Sequence, residues 1–142
     1  MMMTRTLVAL AGLYGAIGVA LGAFGAHALK DRLPAERLAH IDTGVRYLFT
    51  SLPGILATAV FVHDCAGGVF VTIAGLCFAA GVLVFTGSLV ALAFTGNRRW
   101  GAVTPLGGVL LIVGWVAVIA AALMLPGSAA GGWLGHLGAP AC

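Results

Sequence analysis

Residues 6–29 read TLVALAGLYGAIGVALGAFGAHAL. The stretch holds no Asp, Glu, Lys or Arg, and a helix needs about 20 apolar residues to cross a bilayer. Arg5 precedes it, and Ala26-His27-Ala28 imitates a signal-cleavage site. The apolar run is about twice as long as a usual signal core, so it is expected to stay as a first membrane helix. Gly12, Gly15, Gly18, Gly22 and Gly25 recur three or four residues apart and fall on one helical stripe. Small residues at that spacing let two backbones approach, and such packing drives helix association in lipid.

The rest of the chain continues the pattern. Hydrophobic residues make up 61% of the 142 residues and charged residues 8%. A soluble domain carries about 25% charged residues, so lipid must be the solvent for most of this surface. Three further apolar segments are expected at about residues 44–62, 69–94 and 105–125. Lys30–Arg46 is polar, with Pro34 and Glu36 suited to a helix start. Leu38, Ile41, Val45 and Leu48 recur there at helical spacing, which predicts a short amphipathic helix on the membrane surface. Pro53 predicts a kink in the second span, with Thr50 and Ser51 placed to satisfy the freed backbone group. His63–Gly68 and Gly96–Trp100 read as turns, Trp100 as an interfacial aromatic, and Thr104 as the N-cap of a helix whose first residue is Pro105. The fold class is all-α: an integral membrane four-helix bundle with a short amphipathic helix between helices 1 and 2. It forms one transmembrane domain, residues 1–125, followed by a Gly/Ala-rich tail, residues 126–142.

Charge sets the expected orientation. The first and third connections carry Lys30, Arg32, Arg37, Arg46, Arg98 and Arg99, and the opposite side only Arg5. The positive-inside rule places those connections in the cytoplasm and both termini outside. The net charge of +3 does not point to nucleic acid, because the basic residues form no stripe. Cys65, Cys77 and Cys142 are odd in number and show no CxxC spacing.

Several short strings then stand out in order. They are Gly22-Ala23-Phe24-Gly25-Ala26-His27-Ala28-Leu29, Thr43-Gly44-Val45-Arg46-Tyr47, Phe85-Thr86-Gly87-Ser88-Leu89 and Val103-Thr104-Pro105-Leu106-Gly107-Gly108, with Gly114-Trp115 beyond. Over roughly Leu7 to Leu123 this order resembles the YgdD-like family of small membrane proteins, a domain of unknown function. The resemblance implies four helices in an inner membrane and no established activity. After the tyrosine the family pattern runs YQxxH, whereas Leu48 and Ser51 stand here. The resemblance therefore brings no partner histidine for His27.

The residues with candidate roles fall into two groups. Gly15, Gly18, Gly22, Gly25, Gly87, Ser88, Gly107 and Gly108 are expected to pack helices, within the bundle or against another subunit. His27, Tyr47, Thr86 and Ser88 are the candidate functional polar groups, since an ionisable or polar side chain in a span is costly and needs a reason. No nucleotide loop, nucleophile elbow or paired carboxylates occur, so no catalytic residue is named and no enzyme is expected. The histidines show neither HxxxH nor HExxH spacing and no pair at matched depth for haem, so no metal and no cofactor is expected. The expected partners are the bilayer and a larger membrane complex or a second copy. The expected role is a non-enzymatic accessory or stabilising subunit that works by helix packing. The alternative is an oligomeric transporter or channel using His27 and the Pro53 kink.

Overall fold

A computed structural model describes residues 2–63 and 68–124. It contains four helices, α1 (Met2–Ala26), α2 (Ala35–His63), α3 (Gly68–Thr95) and α4 (Arg99–Met124), each long and apolar enough to span a membrane. Residues 64–67, in the turn expected after the second span, and the tail 126–142 lie outside the described residues. The four-helix membrane bundle is thus the fold. Short connections make neighbours pack in sequence: α1 on α2, α2 on α3, α3 on α4. α1 and α4 do not touch.

The ends of the helices follow local chemistry. α1 gives way after Ala26 to a turn in which the Leu29 amide donates to the Phe24 carbonyl at 2.8 Å. Pro34 disfavours a helical Leu33, and its own carbonyl accepts from the Arg37 and Leu38 amides to start α2. The amphipathic segment expected on the membrane surface is therefore the opening of α2 itself. Nothing in Ala35–Gly44 breaks the helix, so it runs on into the span.

The start of α4 differs from the expectation at Thr104-Pro105. Gly96 takes φ +66°, which a side chain strains and glycine does not, and its amide closes on Leu92 to stop α3. Asn97 then caps α4, its Oδ1 accepting from the Arg99 amide at 3.1 Å. Thr104 lies inside α4 and donates to the Trp100 carbonyl. The Asn cap wins because Gly96 already turns the chain into a helix that starts at Arg99, six residues before the proline.

At Pro53 the expected helpers act elsewhere. Thr50 bonds the Arg46 carbonyl and Ser51 the Tyr47 carbonyl, each one turn back, whereas proline frees the carbonyl of Phe49.

The core lies where α3 is enclosed. Phe78 is fully buried, with its ring against Gly54 of α2 on one side and Gly114 of α4 on the other. Trp115 meets it edge-on, with ring centroids 5.0 Å apart. Tyr14 of α1 reaches past α2 to donate its hydroxyl to the Ala79 carbonyl of α3 at 2.9 Å. This bond ties the outermost helix to the centre.

Candidate functional site

The buried stripe of α2 is Ile41, Gly44, Leu48, Ser51, Ile55 and Thr58, alternating three and four residues apart. One helical step further back on the same stripe is Arg37, which is half-buried. The strings singled out in the sequence meet along the connection-bearing half of this stripe.

The α1 glycines face α2. A carbon added at Gly18 would sit 2.9 Å from Leu48, and one at Gly15, Gly22 or Gly25 would sit 3.7–3.8 Å from Leu52, Val45 or Ile41. Gly12, by contrast, meets nothing within 4 Å. From the other side, Thr86 of α3 is buried and donates to the Gly44 carbonyl at 3.0 Å. Tyr47 is half exposed and its ring lies 4.5 Å from that of Phe85. Ser88 of α3 and Thr104 of α4 share a hydroxyl–hydroxyl bond of 2.9 Å. At Gly107, α4 touches the backbone of Phe85, and Gly108 rests against the Phe85 ring. Gly87 faces outward with nothing within 4 Å, so it packs no helix of this chain.

The Thr86 bond can be tested directly. Thr86→Val keeps the shape and removes the donor, and the α2–α3 contact is expected to weaken by about 1 kcal/mol, as for other interhelical bonds in lipid. Unfolding in mixed detergent micelles would read it.

His27 is exposed in the turn after α1 and, among the described residues, forms no side-chain hydrogen bond or ion pair. It forms no hydrogen bond or ion pair with Asp31, Asp42, Tyr47 or Ser88. Pro53 is likewise exposed, on α2. Asp42 and Arg46 pair at 2.9 Å on the surface, a contact of little energetic weight. Among the described residues no group of three His, Cys, Asp or Glu side chains is placed to hold a metal.

Sequence reasoning missed a cavity of about 360 Å³ beside these contacts. It is lined by Glu36, Arg37 and His40 of α2, Gly96 and Arg98 of the α3–α4 turn, and Gly101 of α4. Arg37 crosses to α3, where its Nη1 donates weakly to the Ala93 carbonyl at 3.5 Å. Its guanidinium also packs on Gly96 so closely that a side chain there would collide with it. A cation is favoured beside the carbonyl end of a helix. The signal was present in the sequence: Arg37, Ile41, Gly44 and Leu48 share one face.

The fold and these contacts define a small multi-pass membrane protein whose interior is made of close helix seams. Residues 21–108 match the family described as protein of unknown function DUF423. The chain is 36% identical to membrane protein YwdK of Bacillus subtilis, over 84% of this chain and 97% of that one. It is 39% identical to a membrane protein of Haemophilus influenzae, over 80% and 87%. It is 36% identical to inner membrane protein YgdD of Escherichia coli, over 87% and 94%. The chain belongs to the DUF423 family. No solved structure matches it.

Proposed function

We propose that this protein is a non-enzymatic accessory or stabilising subunit of the inner membrane, acting through helix packing. The observation that carries this reading is the state of its interior polar groups. The buried hydroxyls of Tyr14, Ser51, Thr58, Thr86 and Ser88 are all engaged with backbone carbonyls or with Thr104. A solute path needs polar groups that can exchange partners, and among the described residues only Thr4, at the very start of α1, has a buried side-chain oxygen without one. Gly15, Gly18, Gly22 and Gly25 of α1 are occupied by α2, so the partner surface is the outer faces of α1 and α4, which do not cover one another.

The α1–α2 and α3–α4 connections face the cytoplasm in this proposal, supported by the excess of Lys and Arg in them. With the native cysteines removed, Lys30→Cys is expected to be labelled from the cytoplasmic side alone, and labelling from outside would reverse the orientation. Native mass analysis of protein extracted in mild detergent is expected to find a second copy or a stoichiometric membrane partner. A bare monomer under every mild extraction would refute the accessory role.

A further inference from the structure

The cavity at the connection end has chemistry that helix packing does not use. Arg37 of α2 and Arg98 of the α3–α4 turn both line it, with Glu36 and His40 beside Arg37. A guanidinium carries five N–H donors, and among the described residues the one bond of Arg37 is the long one to Ala93. The single ion pair among the described residues is Asp42–Arg46, so neither Arg37 nor Arg98 is neutralised by Glu36 or any other carboxylate there. Arg98 and Arg99 stand at the start of α4, and the first turn of that helix has no acidic residue. Cations are disfavoured at a helix N-terminus and anions favoured. Basic connections alone would satisfy orientation. They require neither a cavity nor an arginine on the inward stripe of α2.

We propose that this cavity binds a phosphate group at the bilayer–water boundary, either the headgroup of an anionic phospholipid or a soluble phosphate. The guanidinium groups do the binding, since planar N–H forks match phosphate oxygens. The α4 amides contribute little, because those of Arg99, Trp100 and Gly101 are already bonded to Asn97 and Arg98. Glu36 restricts the phosphate to the Arg37–Arg98 side. Trp100 is part-exposed on the neighbouring turn, where an aromatic ring suits the headgroup level. The site stands whether or not the protein has a subunit partner.

The test uses the full chain in mild detergent, titrated with phosphatidylglycerol, phosphatidylcholine or inorganic phosphate. Bound lipid is counted by native mass spectrometry, and unfolding temperature is followed in parallel. Phosphatidylglycerol is expected to be retained over phosphatidylcholine, and Arg98→Gln to weaken that retention about tenfold, the weight of one charged hydrogen bond. Arg98 is exposed and, among the described residues, makes no side-chain bond, so this variant should keep the fold. Arg37→Lys, which retains the charge and loses the fork, should fall between. Stabilisation by phosphatidylglycerol alone assigns the lipid source. Stabilisation by inorganic phosphate alone, lost in Arg98→Gln, assigns the soluble one. Equal retention of both lipids with no effect of phosphate, or full preference surviving in both variants, overturns the proposal.

Discussion

Gly107→Ala is expected to cost about 3 kcal/mol, the upper part of the usual range for overpacking, and Gly107→Leu to keep the α3–α4 hairpin from closing. A carbon at this position would overlap the Phe85 amide nitrogen and lie 2.7 Å from its Cα. Those atoms are backbone, so no rotamer change relieves them and one helix must move. The move would also pull Thr104 from Ser88, because that bond lies on the same seam less than a turn away. Gly87→Ala is the control. It meets nothing within 4 Å, and alanine is the better helix former by about 0.5–1 kcal/mol, so stability should hold or rise slightly. Unfolding of the two variants in mixed detergent micelles, followed by helical circular dichroism, separates them. Equal losses at Gly87 and Gly107 would mean that the α3–α4 seam is not where the bundle is held.

The contrast between those two glycines marks how far the sequence could be read. The spans were legible because hydropathy is a property of a segment: four apolar stretches must be four membrane helices once lipid is the solvent. The α1 glycine stripe was legible as a stripe, since spacing alone puts its residues on one face. Its target, α2, was not, because a stripe does not record what lies opposite. Gly87 and Gly107 sit in equally suggestive strings, yet one faces outward and the other touches a backbone. The start of α4 was misplaced at Thr104-Pro105 because a proline in a first turn is a strong local signal. The stop at Gly96 and cap at Asn97 depend on the path of the chain into the hairpin. Tyr14 carries no local signal, being one ring in an apolar run, although its hydroxyl finds a carbonyl on a helix two elements away. At the candidate cavity, each basic residue could be read as an orientation signal. The convergence of Arg37 and Arg98 required the packing of α2 against α3 and α4.

Phe78→Ala is expected to cost about 2–3 kcal/mol, less than the roughly 3–5 kcal/mol typical of such a truncation in a water-soluble core. The reduction follows from the solvent: lipid tails are as apolar as the ring, so the transfer part of the cost is small and lost packing remains. The double-mutant cycle with Gly54 makes the argument specific. A carbon at Gly54 would lie 2.8 Å from Phe78 Cε2, and the other edge of the same ring is 3.0 Å from a carbon placed at Gly114. Held on both sides, the ring has nowhere to yield. Gly54→Ala alone should therefore destabilise by about 1–2 kcal/mol through overpacking. With Phe78→Ala present, the same methyl enters vacant space and gains helix propensity, so Gly54→Ala should become neutral or stabilising. The reversal of sign is a coupling of about 1–3 kcal/mol between residues in direct contact. Two additive losses would place Phe78 away from Gly54 in the membrane and break the three-helix core around α3. A reversal of sign would fix α2, α3 and α4 in the register that also brings Gly44 to Thr86 and Arg37 to Arg98.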